Sequence, residues 1–200
     1  MNENLAIIAS QMYSGTYGSA LQGKAMVAKD CRIKIIDSPV AIGGQMLLAV
    51  FAAQMAQSGA NLDQIANWVK KAIPRVHVCI SFDTLECLRR GRRIGKAQAF
   101  LGSLLKVNPV LGIKDGNTFP ITQPQNRAQA IDFLVNFAKG FRYIEALAIE
   151  DATTPDELEM LAQHLKDLVP PECFYRSKVS PVVGTHVGHH ILAVSILEGA

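Results

Sequence analysis

Leu5-Ala6-Ile7-Ile8-Ala9-Ser10-Gln11-Met12-Tyr13-Ser14-Gly15-Thr16 is the stretch on which the fold turns. Its first five residues are uniformly apolar, the pattern of a strand buried in a parallel sheet. Polar residues and a glycine then interrupt, and a helical stretch runs to about residue 28 with Ala20, Leu21, Ala25 and Met26 at helical spacing. A second buried strand over 33–36 ends at Asp37-Ser38-Pro39. Beyond Gly43-Gly44, residues 45–57 read as a long apolar helix. Asn61 then caps another, which carries Leu62, Ile65, Ala66, Val69 and Ile73 on one face. Strand, helix, strand, helix with short joints predicts a parallel sheet covered by helices.

The second half changes character. Residues 76–82 read as a strand and 84–105 as mostly helical, interrupted near Gly91. Two strands over 107–114 and 118–122 flank Asp115-Gly116, the composition of a hairpin turn. A helix over 127–139 follows, with Ile131, Leu134, Val135 and Ala138 on one face, and then a strand over 143–150. A helix with Thr154 as its candidate cap runs to about residue 168, and 173–178 and 191–196 are the last candidate strands. The expected class is α/β: a partial parallel-sheet α/β/α lobe over 1–73, then a two-layer α+β lobe with a mixed sheet over 74–200.

Composition narrows the function. With 200 residues, 49% hydrophobic and 18% charged, the chain is globular. A net charge of +3 is too small to argue for nucleic acid. Four scattered cysteines without a CxxC pair suit reduced thiols, and the longest apolar run, 46–53, is too short to cross a bilayer. These features, and an amino terminus without the pattern of a signal peptide, predict a soluble, cytoplasmic protein.

Three segments carry candidate chemistry. The loop 9–17 joins a buried strand to a helix. Free amides at the helix start, with the hydroxyls of Ser10, Ser14 and Thr16 nearby, form a cradle for an anion, and an ordinary cap is the bland alternative. Ligands also favour the carboxyl ends of parallel strands. The segment Val183-Gly184-Thr185-His186-Val187-Gly188-His189-His190 holds three histidines but no cysteine or carboxylate, a poor set for a metal. His186, framed by glycines, suits hydrogen bonding to an anion. The basic run Arg89-Arg90-Gly91-Arg92-Arg93-Ile94-Gly95-Lys96 reads as exposed, and its guanidinium groups suit carboxylate or phosphate. No Walker loop, dinucleotide fingerprint or nucleophile elbow is present.

Taken in order, these segments resemble the DegV family. The resemblance rests on Ser14-Gly15-Thr16-Tyr17, Ile35-Ile36-Asp37-Ser38, Asp83-Thr84-Leu85-Glu86-Cys87-Leu88-Arg89-Arg90-Gly91, Arg93-Ile94-Gly95-Lys96 and Leu101-Gly102-Ser103-Leu104-Leu105. Pro109, Gly116, Pro120 and Gly184-Thr185-His186-Val187-Gly188 complete it. The match covers roughly the carboxy-terminal two-thirds of the family, with an amino-terminal segment of roughly 80 residues absent.

The resemblance implies a long-chain fatty acid held between two lobes, no cofactor, no metal and no catalysis by this chain. It implies that Ser10, Ser14, Gly15, Thr16, Thr185 and His186 bind the carboxylate, and that Arg93 serves acyl-phosphate transfer or docking of an ATP-binding fatty acid kinase subunit, on the way to phospholipid synthesis. The helix bearing Phe100, Leu101, Leu104 and Leu105 is expected to line the acyl tail, with plain core packing as the alternative. The sequence departs from the family pattern in four segments: Gln11 replaces a serine, Gly91-Arg92-Arg93 stands for Gly-Gly-Arg, Gly188-His189-His190 stands for Gly-Pro-Gly, and Gln125 stands where an arginine is usual, with Arg127 two residues away. Two other readings compete. One is a truncated paralogue with a structural or interaction role, self-associating through poorly shielded Leu5, Ile7 and Ile8. The other is a hydrolase or phosphotransferase built on Ser14 and His186.

Overall fold

The structure is a computed structural model that describes residues 3–27, 31–102 and 108–199, with the side chains of 100–102 left out. Glu3–Ala9 (β1) and Arg32–Ser38 (β2) pair in parallel, from Glu3↔Arg32 to Ala9↔Ser38, and Thr16–Met26 (α1) makes the crossover. Ile42–Gln57 (α2) and Leu62–Ala72 (α3) pack on Leu5, Ile7 and Ile36. Asn61 caps α3 as its sequence predicts, accepting from the Gln64 amide while the Gln64 side chain accepts from the Asn61 amide.

Two expectations for this part need correction. β1 is only half-buried, and α1 buries none of its residues, leaving Met26 87% exposed. The stripe read into α1 is diluted by Gly18, Gln22, Gly23 and Lys24, and two strands offer little surface to cover it.

A 3-10 turn, Ile73–Arg75, leads into the second sheet. Its strands are Val76–Ser81 (β3), Val110–Lys114 (β4), Asn117–Thr122 (β5), Ile144–Asp151 (β6), Phe174–Lys178 (β7) and Leu192–Glu198 (β8). They lie in the order β5-β4-β3-β8-β6-β7, antiparallel except for β6 with β7. Asp115 (φ 50°) and Gly116 (φ 71°) place both central residues of the β4–β5 turn in the left-handed region, the hairpin geometry their sequence implies.

Between β3 and β4 lies Glu86–Arg90 (α4), and between β6 and β7 lies Pro155–Leu165 (α6). Arg127–Lys139 (α5) and α6 cover one face of the sheet, where Leu147, Ile149, Leu192, Val194 and Ile196 are fully buried. The other face carries Ala146, Ala148 and Ala193 beneath α2, in one apolar cluster that continues through Ile80 and Phe82 to Ile36. One core therefore joins the two sheets.

The expected helix over 84–105 divides into α4 and a 3-10 segment, Gly95–Gly102, because Arg92 (φ 58°) and Gly95 (φ 52°) turn the chain. α6 stops at Leu165, and its Thr154 hydroxyl is no cap; Asp151 Oδ2 accepts the Thr154 amide instead, at 2.8 Å. The side chains of Phe100 and Leu101, and Leu104 and Leu105 entirely, lie outside the described residues.

Gly43 and Gly44 let α2 sit directly on the sheet. A Cβ on Gly44 would fall 2.7 Å from Val78 Cγ2 and 3.0 Å from Val76 Cγ1. Gly44→Ala is therefore expected to cost about 1–3 kcal/mol as overpacking. On α1, where a Cβ at Gly23 meets nothing within 4 Å, Gly23→Ala should gain about 0.5–1 kcal/mol. Urea denaturation of the two variants measures both; equal effects would contradict the packing described.

Candidate functional site

The loop after β1 is built around Ser10, which is 1% exposed. Its carbonyl accepts the amides of Tyr13 (2.9 Å) and Ser14 (3.1 Å), and its hydroxyl accepts that of Met12 (3.1 Å). The Gln11 amide donates to Asp37 Oδ1 at the end of β2 (2.9 Å). The β4–β5 turn presses on this loop from the other sheet: Gly116 donates to the Pro39 carbonyl, and a Cβ on it would lie 2.3 Å from Ser10 Oγ. Ser10 thus holds the loop together from below.

Past Ser10 the loop opens to a cavity. Ser14 Oγ accepts the Thr16 amide (3.2 Å) and lies 2.7 Å from Thr16 Oγ1. Tyr17 and Gly18, next along α1, find no intramolecular acceptor for their amides among the described residues, as at any helix start.

The cavity, about 230 Å³, lies between this loop and the six-stranded sheet. Ile80, Phe82 and Ile113 form its sheet side, Ala41 and Ile42 its α2 side, and Leu88 and Val183 most of the remainder. Among the described residues polar side chains enter from Tyr13, Ser14, Arg93, Thr118 and His186. Val182, 71% exposed, stands in the same wall, which makes that wall an apolar edge to solvent.

His186 lies on the short helix Pro181–Val187 (α7), which Ser180 caps through the Val183 amide. Its Nδ1 is buried against Gly91, where a Cβ would come within 2.7 Å, and it has no partner. Nδ1 is unsatisfied in either tautomer, and the tautomer with its proton on Nε2 is the one that offers a donor there to a ligand. Among the described residues no carboxylate orients the ring: of the histidine–carboxylate pairs, Asp83 takes His190 Nδ1 (2.8 Å) and Glu198 takes His77. Among the described residues a Ser14–His186 pair has no third member of a hydrolytic triad beside it.

The basic run is not uniformly exposed, which corrects its sequence reading. Arg89 and Arg90 do lie on the surface, paired with Glu86, whose carboxyl they draw down to about 2 through their hydrogen bonds. Arg93 instead turns inward because the left-handed Arg92 reverses the chain. Its Nε donates to the Tyr13 carbonyl (3.0 Å) and its Nη1 to the Gly91 carbonyl (2.5 Å), so it fastens the loop to the end of α4.

Of the residues singled out in the sequence, Ser14, His186 and Arg93 meet at the cavity. Gly15 and Thr16 are exposed at its rim, and Thr185 points outward with its hydroxyl on the Val182 carbonyl (2.7 Å). Sequence reasoning missed Tyr13, Ile42 and Thr118. Thr118 bonds to the Ile94 carbonyl (2.6 Å) and fills the space beside Gly95, and no local pattern announces a contact so distant in the chain. A larger groove, about 530 Å³, runs along β1, α2 and α3; half of its described lining residues are alanines, and Glu3 is the one charged residue among them. Among the described residues no three His, Cys, Asp or Glu side chains group as metal ligands, and no helix is long and apolar enough to cross a membrane.

The sequence pattern described as "Uncharacterised protein, DegV family" matches residues 2–199. The chain belongs to the DegV family. A DegV domain-containing protein of Caldanaerobacter subterraneus subsp. tengcongensis is 33% identical over 187 residues, spanning 92% of this chain and 66% of that protein. One from Streptococcus pyogenes serotype M1 is 32% identical over 201 residues, spanning 98% of this chain and 70% of that protein. Among solved structures, a DegV family protein from Thermus thermophilus, described for its fatty acid binding, superposes with a TM-score of 0.89 at 25% identity, covering 99% of this chain and 71% of that one. Bacillus subtilis DegV, described as a fatty acid binding protein, gives 0.82 at 28%, covering 99% and 71%. The DegV fold, with its parallel and mixed sheets, is thus the fold of this chain.

Tyr13 offers a check on the site. Its hydroxyl is buried without a partner, and burial pushes its pKa up, so it stays neutral. Tyr13→Phe removes an unsatisfied group and is expected to leave stability unchanged or raise it by about 1 kcal/mol. A loss of that size on thermal or urea denaturation would show that the hydroxyl is bonded.

Proposed function

We propose that this chain binds a long-chain fatty acid, with the acyl chain among Ile80, Phe82, Ile113 and Val183 and the carboxylate toward Ser14 and His186. The observation that carries the reading is a cavity, open at Val182, whose described walls are mostly apolar and whose polar side chains are few. That is the balance of a fatty acid itself, and relatives in the same fold are described as fatty acid binding.

A carboxylate leaving water must regain its hydrogen bonds or lose several kcal/mol. The Ser14 and Thr16 hydroxyls, the amides at the start of α1 and Nε2–H of His186 are the donors at hand. The expected lining of the acyl tail by Phe100, Leu101, Leu104 and Leu105 remains part of this proposal, and those side chains fall outside the described residues.

The chain is a carrier in this reading. Presenting the carboxylate to a separate ATP-binding kinase subunit lets a carboxylate oxygen attack the terminal phosphorus of ATP, forming the acyl phosphate and releasing ADP. The exposed rim at Gly15 and Thr16 suits such access, and the Arg93 guanidinium nearby suits a phosphoryl group.

Native mass spectrometry of the purified chain is expected to show a bound fatty acid, and calorimetry with palmitate a single site. His186→Ala should weaken palmitate by about 1–2 kcal/mol, the scale of one hydrogen bond to a charged group. An unchanged affinity in that variant removes His186 from the site, and no binding to any fatty acid removes the reading.

A further inference from the structure

α2 begins without a cap of its own. Ala41 stands at the N-cap position, no side chain there accepts a helix amide, and the first turn holds no acidic residue. The helix is nonetheless capped from the other sheet. Glu150, on β6, accepts the Gly43 amide on Oε2 at 2.5 Å and the Ser177 hydroxyl on Oε1 at 2.9 Å. It is 5% exposed, and Gly43 lies so close that a Cβ would come within 2.8 Å of Oε2 and 2.7 Å of Ser195 Oγ.

The neighbouring residue is the unusual one. Ile42 has φ 48°, in a region that a β-branched side chain occupies only under constraint. Ile42 and Ala41 form the α2 side of the ligand cavity. The constraint is visible: Ile42 is fixed between the extended Ala41 and a Gly43 whose amide is held by a carboxylate from the opposite sheet.

We infer that Glu150 is a positioning residue for the ligand site, capping α2 across the junction of the two sheets and so holding Ile42 in its strained place in the cavity wall. Its effect on a ligand rests on the fatty acid reading; its effect on the α2 start does not. A neutral acceptor performs the same task, since the amide needs only a carbonyl oxygen. Burial raises the carboxyl's pKa against the lowering effect of Ser177 and Gly43, which fits a site that tolerates the uncharged form.

Two measurements on the full chain test this. Without ligand, the Gly43 amide should exchange hydrogen at least about tenfold faster in Glu150→Ala than in the wild type, with the amides of β8 unchanged. In Glu150→Gln, exchange should stay within about twofold of the wild type. If Glu150→Ala does not fold, Ser177→Ala, which frees the other carboxylate oxygen, should give a smaller acceleration confined to the first turn of α2. Equal exchange in the wild type and whichever of the two folds overturns the cap.

With palmitate as the probe, Glu150→Ala should weaken binding about fivefold or more, and Glu150→Gln less than about twofold. In an Ile42→Gly background the same Glu150→Ala change should cost less than about twofold, because glycine occupies that conformation unaided. An undiminished loss in that background, or a loss in Glu150→Gln equal to that in Glu150→Ala, overturns the positioning role. A wild type that takes no palmitate overturns the fatty acid reading and with it the effect on ligand, while the exchange measurement decides the cap separately.

Discussion

Close contact between the start of α2 and the six-stranded sheet is the constraint on which the rest depends. Gly43 and Gly44 carry no side chains because Ser195, Glu150, Val76 and Val78 occupy the space where a Cβ would go. That approach fuses the apolar surfaces of the two sheets into one cluster from Ile36 to Leu197. It also brings the loop after β1 over Ile80 and Ile113, which creates a cavity at the carboxyl end of a parallel strand. A helix seated even a methyl group farther away would open the core and the site together.

On the proposed reading the cavity holds a ligand and does not transform it. Its polar groups are largely spent on architecture: Thr118 on the Ile94 carbonyl, Arg93 on the carbonyls of Tyr13 and Gly91, and Ser14 on the start of α1. Among the described residues His186 has no orienting acid, and its Nδ1 is buried beside Gly91 without a partner. A donor beside hydroxyls at a helix start stabilises an anion and leaves a nucleophile unactivated. The same economy explains Arg93: its position in the wall secures the loop that bears Ser14, and whatever it does toward phosphate follows from that anchorage.

Much of this was legible in the residues. The hairpin signal at Asp115-Gly116, the Asn61 cap and the spacing of Ile131, Leu134, Val135 and Ala138 each specify a local structure through propensity and periodicity, and each forms as read, while the run 5–9 forms its strand but only half-buried. Local pattern failed where long-range geometry rules. Arg93 sits in a run of like charges that reads as solvated, yet one left-handed residue before it turns the guanidinium inward. α1 shows apolar residues at helical spacing, yet the two-stranded sheet leaves them exposed. Ser10 and Ser14 look equivalent in sequence, but the hairpin of the other sheet covers only Ser10. Glu150 ends an apolar strand with nothing nearby to signal that it caps a helix 107 residues away.

Photo-crosslinking with a fatty acid that carries a diazirine on its chain tests the central claim most directly, because other apolar-lined spaces compete for the ligand. The account places labelled residues on peptides bearing Ile80, Phe82, Ile113 and Val183, at the junction of the two sheets. Labelling confined to Leu5, Ile7, Ala53 and Ala56, along the open groove of β1 and α2, would contradict it.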